Sequence, residues 1–143
     1  MNKDKKRVLI LCTANSARSQ MAEGVLRMLA GDHYDVFSAG SRATHVNPYV
    51  IQAMSEIGVD LSGHTSKTFE PFLGQPFDAV FTVCDNAAEN CPFMPGKYTR
   101  IHWSFPDPAA VEGDEKMQAF RDVRDGLIEK FKGFVREKQA EHA

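Results

Sequence analysis

The chain has 143 residues, 43% hydrophobic and 25% charged, with a formal net charge of −2. That fits one compact domain over 1–143, able to bury a core without disulfide staples, and lacks the basic excess of a nucleic-acid binder. No apolar run is long enough to cross a bilayer or to serve as a secretory signal, so a cytoplasmic protein is expected.

The first apolar run, Val8-Leu9-Ile10-Leu11, predicts a strand over 7–11 that leads into Cys12-Thr13-Ala14-Asn15-Ser16-Ala17-Arg18-Ser19 and then a helical pattern. Cys-x5-Arg-Ser between a strand and a helix is a cradle for a tetrahedral oxyanion. Its main-chain N–H groups can turn inward as a nest, with the positive end of the helix behind them. Arg18 offers a planar fork to two oxygens of the anion at once, a geometry lysine cannot reproduce. Cys12 faces that positive field, which favours a thiolate and makes it the candidate nucleophile. Ser19 is placed to donate to the thiolate or to cap the helix, and Asn15 suits a position of positive φ. Thr13, Ala14, Asn15, Ser16, Ala17, Arg18 and Ser19 form the expected anion-binding set. The plainer reading of Cys12, a small hydrophobe at a strand end, does not account for the strand, motif and helix together.

The first helix is expected over 19–30, burying Met21, Val25, Met28 and Leu29 and closing on a left-handed Gly31. A strand over 34–38 follows. Asn47-Pro48 reads as an N-cap with proline in the first helical turn, Val50, Ile51, Met54 and Ile57 on one face, and Gly58 as the stop. A short helix is expected over 66–73, then strands over 78–84 and 99–104. The last helix, 115–138, carries Met117, Phe120, Val123, Leu127, Ile128, Phe131, Phe134 and Val135 at helical spacing. This alternation predicts an α/β fold: a single-domain, four-stranded parallel sheet with helices on both faces. Ligands of such sheets bind beyond the carboxyl ends of the strands, where Cys12, Cys84 and the segment after Ser104 all fall.

After the fourth strand, Trp103-Ser104-Phe105-Pro106-Asp107-Pro108 forms a proline-stiffened loop, and Asp107 is the candidate general acid. An aspartate in an ordinary turn is the competing reading. Three cysteines in a chain without secretory features argue for reactive thiols rather than a static disulfide framework. Cys84-x6-Cys91 is not a usual zinc-knuckle spacing, the five histidines show no metal pattern, and no metal is expected. Residues 85–92 read as a short, weakly held helix. Seven residues of helix rise about 10 Å, beyond the roughly 4.4–6.8 Å between disulfide-linked Cα atoms, so joining Cys84 to Cys91 requires that segment to bend or unwind.

Cys12-x5-Arg18-Ser19, Val83-Cys84-Asp85 with Cys91-Pro92 seven positions on, and His102-Trp103 leading to Asp107-Pro108 together resemble the thioredoxin-coupled arsenate reductases, which share the low-molecular-weight tyrosine phosphatase fold. The resemblance implies a triple-thiol relay. Cys12 attacks arsenate held by the loop and Arg18, Asp107 protonates the departing oxygen, Cys84 attacks Cys12 to release arsenite, and Cys91 attacks Cys84. Thioredoxin, an external reductant rather than a bound cofactor, then reduces the Cys84–Cys91 pair. Phosphate and sulfate are the expected competing oxyanions, and a monomer is expected. Some members of that family hold potassium beside the loop; Asn15, Glu23, Ser38 and Thr65 are counterparts here, but Lys67 stands where an aspartate is needed.

Two other functions remain open on the sequence. A low-molecular-weight phosphatase acting on phosphotyrosine or a small phosphoester would use Cys12, Arg18 and Asp107 through a phosphocysteine. A non-catalytic oxyanion-binding redox sensor would use the cysteine pair as a switch.

Overall fold

The structure, a computed structural model, describes residues 5–85 and 94–141. Cys91 and its neighbours in 86–93 lie outside the described residues. Four strands, β1 (Lys6–Cys12), β2 (Tyr34–Gly40), β3 (Ala79–Thr82) and β4 (Thr99–His102), form one parallel sheet in the order β2-β1-β3-β4. Among the described residues three α-helices accompany it: α1 (Arg18–Ala30), α2 (Pro48–Ser55) and α3 (Lys116–Glu141).

Side chains alternate across a strand, and β1 uses both faces. Val8, Ile10 and Cys12 enter a cluster with Met21 and Val25 of α1, Val50 and Met54 of α2, and Phe120, Leu127 and Phe131 of α3. Leu9 and Leu11 point the other way, into a smaller cluster with Val80 and Phe77. Phe69 and Phe72, flanking the 3-10 turn Glu70–Phe72, pack against that second cluster. Helical segments therefore cover both faces, the three long ones on one side and the single turn on the other.

The Phe81 ring lies 4.9 Å from Trp103 and 5.1 Å from both Phe131 and Phe134, centroid to centroid. Burying each such aromatic contributes about 1.5–3 kcal/mol. The consequence for function is that Trp103, the first residue after β4, is fixed, and the loop leading to Asp107 starts from an anchored position. Asn47 caps α2, its side chain accepting from Tyr49 N at 2.9 Å. At the other end of α2, Glu56 accepts from Arg121 and Arg124 of α3, which hold its carboxyl down to about 2.

The structure departs from the sequence expectations at several places, and of the helix expected over 66–73 only the 3-10 turn Glu70–Phe72 forms. Gly31 is right-handed, with φ −60°, its N–H bonded to Arg27 O; α1 runs into β2 through a tight turn closed by His33 N to Ala30 O. Met28 is 44% exposed and rims a surface hollow that Gly58 and Val59 also line. Ile51 is 38% exposed, because the buried stripe of α2 is Val50, Ala53 and Met54.

Candidate active site

Cys12 is the last residue of β1, and the chain leaves the sheet there to form a loop before α1. Around this loop the surrounding segments donate to its carbonyl oxygens. Arg42 N reaches Thr13 O at 3.1 Å, Thr44 Oγ1 and Ser66 Oγ reach Ala14 O at 3.2 and 3.0 Å, Gln20 Nε2 reaches Asn15 O at 3.1 Å, and Asn47 N reaches Ser16 O at 3.0 Å. Every peptide bond described is trans, and a trans peptide points its N–H opposite to its C=O. With four successive carbonyls engaged from outside, the N–H groups of residues 14 to 17 turn to the inner side. That is the arrangement of a nest, and its builders lie 5 to 52 residues away along the chain.

Asn15 carries the one unusual backbone angle, φ 47°, the only positive value at a non-glycine residue among those described. Its side chain is fully buried and acts as a hub. Nδ2 donates to Ser19 Oγ at 2.8 Å and to Ser38 Oγ at 3.0 Å, while Oδ1 accepts from Lys67 N at 2.9 Å and Gln20 Nε2 at 3.0 Å. Four bonds on one amide hold a backbone conformation that otherwise costs free energy. Ser19 Oγ lies 2.9 Å from Cys12 Sγ, so a serine that accepts from Asn15 has its own proton to give to the sulfur. Ser19 lies in the first turn of α1 rather than at its cap. Ala17 occupies the N-cap, and its side chain makes no capping bond.

Behind this hub a second layer of charge is paired. Ser38 Oγ donates to Glu23 Oε1 at 2.5 Å, and Arg27 bonds Glu23 Oε2 at 2.6 Å. His64 is linked to Gln20 Oε1 at 2.9 Å and to Arg27 at 3.1 Å, and burial pushes its imidazole below the ordinary range, with Glu23 opposing the shift. The Lys67 ammonium donates to Thr65 O at 2.9 Å, and burial lowers it too.

The nest opens into a hollow of about 240 Å³ lined by Cys12, Arg18, Arg42, His45, Asp107 and neighbouring loop residues. Arg18 is 4% exposed and donates to Phe105 O at 3.0 Å, tying the loop after β4 to the nest. Asp107 both caps the 3-10 turn Pro108–Ala110, accepting from Ala109 N at 3.0 Å, and lines the hollow. Cys84 follows β3 by two positions. Because Leu11 pairs with Thr82 and Val83 N bonds Leu11 O, Cys84 lies beside the end of β1, in the same buried cluster as Cys12. Cys12 is free and Cys84 is disulfide-bonded. Cys91 falls outside the described residues.

Close approach of backbone explains Gly40, which pairs with Cys12 across β1 and β2. A Cβ there would stand 2.7 Å from Thr13 O and 2.8 Å from Asn15 N, against main chain that cannot swing away. Gly40→Ala is expected to cost about 1–3 kcal/mol of stability and to weaken inorganic phosphate binding as the nest is pushed open. Thermal unfolding and a phosphate titration check both effects.

The family profile described as low molecular weight phosphotyrosine protein phosphatase matches residues 7–143. An arsenate reductase of Halalkalibacterium halodurans is 48% identical over 92% of this chain and 96% of its own length. The chain belongs to this phosphatase family, on its arsenate reductase branch. A solved arsenate reductase in a phosphate-binding state is 31% identical to this family member, with TM-score 0.78 over 92% of this chain and 98% of that one. A thioredoxin-dependent arsenate reductase of Corynebacterium glutamicum is 27% identical, with TM-score 0.74 over 99% of this chain and 65% of that one.

Sequence reasoning named the loop but missed what braces this family member's nest from outside: Gln20, Arg42, Thr44, Asn47 and Ser66. Each acts through a contact to a main-chain oxygen, long-range for all but Gln20, which leaves no pattern in a single sequence.

Proposed function

We propose that the chain reduces arsenate to arsenite with Cys12 as the nucleophile and Cys84 and Cys91 as its redox pair. One observation carries this reading: a free Cys12 in an oxyanion nest shares a buried cluster with a disulfide-bonded Cys84. A hydrolase needs one thiol, whereas taking arsenic from the +5 to the +3 state consumes the two electrons released when two thiols become a disulfide.

In the first step the Cys12 thiolate forms a sulfur–arsenic bond, and an oxygen leaves with a proton from Asp107. The residues for this surround one hollow: inward N–H groups and Arg18 hold the remaining oxygens, and Ser19 steadies the sulfur. In the second, the Cys84 thiolate attacks Cys12 Sγ. The sulfur–arsenic bond breaks with its electron pair left on arsenic, and arsenite departs. In the third, Cys91 attacks Cys84 and returns Cys12 as a thiolate. A dithiol protein of the thioredoxin class then takes up the disulfide and restores both thiols. The Corynebacterium glutamicum relative supports that choice of reductant. Phosphate and sulfate compete for the nest, the enzyme acts in the cytoplasm as a monomer, and residues 1–143 work as one domain.

The phosphotyrosine reading is disfavoured by the walls of the hollow, which among the described residues contain no phenylalanine, tyrosine or tryptophan to hold a phenol ring. Slow hydrolysis of small phosphoesters is expected, since phosphate and arsenate have the same shape and charge. No metal takes part. The Asn15, Ser38, Glu23 and Thr65 donor set does not fit a monovalent cation, because the Lys67 ammonium already occupies the Thr65 carbonyl. Turnover should therefore be the same in potassium chloride and in tetramethylammonium chloride at equal ionic strength. A potassium-dependent KM would contradict this.

The test of the function is NADPH consumption by the protein with arsenate, thioredoxin and thioredoxin reductase. Turnover that requires arsenate and disappears in Cys91→Ser supports the reading. Absence of turnover with phosphoester hydrolysis intact would return the chain to the phosphatases.

A further inference from the structure

The hollow above Cys12 holds more positive charge than binding a single anion by the nest and Arg18 requires. At about 240 Å³ it has room for about eight water molecules at roughly 30 Å³ each, more than a five-atom oxyanion fills. Arg42, on the segment that joins β2 to α2, also lines this space.

Its main chain is held firmly. Arg42 N bonds Thr13 O, Ser41 Oγ bonds the same oxygen at 3.0 Å, and Thr44 is tied to both Ala14 O and Ser66 Oγ. The residue next to the nucleophile and the residue bearing this guanidinium are thus directly linked. The side chain itself is exposed and forms no ion pair among the described residues. Other arginines of the chain are committed: Arg27 to Glu23, Arg124 to Glu56, and Arg18 to Phe105 O. A fixed backbone carrying an uncommitted, permanently charged fork into the mouth of an anion site is the geometry of a recruiting residue.

We propose that Arg42 is a second oxyanion-binding residue of this site, which draws the doubly charged anion into the nest and sets the affinity for it without taking part in the thiol chemistry. The inference rests on the nest being an oxyanion site. Arg42 acts on entry, so it alters KM and leaves kcat unchanged. Its contribution is screened by salt, unlike that of the buried Arg18.

Inorganic phosphate titrated calorimetrically into the full chain tests this without any turnover. Arg42→Gln should weaken phosphate about three- to fivefold at low salt, the effect of losing an exposed ion pair, and Arg42→Glu should weaken it further. Arg42→Lys should stay near wild type, and the difference between wild type and Arg42→Gln should shrink as salt is raised. In steady state the KM for arsenate should rise by the same factor at constant kcat. Equal phosphate affinity in wild type, Gln and Glu forms would overturn the proposal, as would an equal loss in Lys, Gln and Glu forms, which would mark a displaced loop instead. Failure of phosphate to bind the wild-type chain at all would sink the oxyanion reading itself, an outcome distinct from either.

Discussion

Cys84→Ser is expected to abolish arsenate turnover while leaving hydrolysis of a small phosphoester close to wild type, and Cys12→Ser is expected to abolish both. The asymmetry follows from where the sulfurs lie. Cys12 ends β1 with its sulfur 2.9 Å from Ser19 Oγ, and any oxyanion in the nest meets it first. Phosphoester hydrolysis needs that nucleophile, Arg18 and an acid, all of which line the hollow. Cys84 contributes nothing to it. For arsenate the arithmetic is different, because one thiol leaves the arsenic bonded to sulfur with nothing to take its place. Loss of the nucleophile should lower either rate by about 10⁴-fold or more. Because Cys84 is fully buried, serine there adds a hydroxyl to an apolar cluster, so the intact phosphoesterase also certifies that the variant is folded. Equal loss of both activities in Cys84→Ser would refute the division of roles.

Arg18→Lys is expected to lower kcat about 10²- to 10³-fold for arsenate and for phosphoesters alike, the range seen when one preorganised oxyanion donor is removed. A lysine keeps the charge, so simple attraction survives. What goes is the fork, which can hold two oxygens of the anion while a further N–H reaches Phe105 O. That last bond ties the loop bearing Asp107 to the nest, so the substitution loosens the acid as well as the anion. Steady-state kinetics on both substrates check the prediction, and a change confined to KM would show that Arg18 only attracts. The expected contrast with Arg42 is direct: substitution of the buried arginine should lower kcat, and of the exposed one should raise KM.

Much of this was legible in the chain because the central motif is local. Cys12 to Ser19 spans eight residues between a strand and a helix, and the demands on each position, a positive φ at Asn15 and a hydroxyl within reach of the sulfur at Ser19, arise within that span. Alternation of apolar runs with helical patterns likewise placed the four strands and α1, α2 and α3 within a few residues of their ends, whereas of the helix expected over 66–73 only the 3-10 turn Glu70–Phe72 forms. The long-range parts were not legible. Nothing in the sequence states that Ser66 and Thr44 share one carbonyl oxygen of Ala14, or that Arg18 reaches Phe105. Strand ends were overestimated for the same reason. Apolar character continues through Val83 and Cys84, but β3 stops at Thr82 where its neighbour β1 turns away into the nest. Met28 has the right period for burial yet is 44% exposed at the rim of a surface hollow, a fact about tertiary packing.

The central claim is that electrons reach arsenic through Cys12 and Cys84 and are passed on by Cys91. The direct test is to react the fully reduced chain with one equivalent of arsenate, trap free thiols, and locate the disulfide by peptide mass spectrometry. The account predicts a Cys84–Cys91 disulfide with Cys12 free in the wild type, and a Cys12–Cys84 disulfide in Cys91→Ser. Three free thiols after arsenate, or a Cys12–Cys84 disulfide that persists in the wild type, would contradict it.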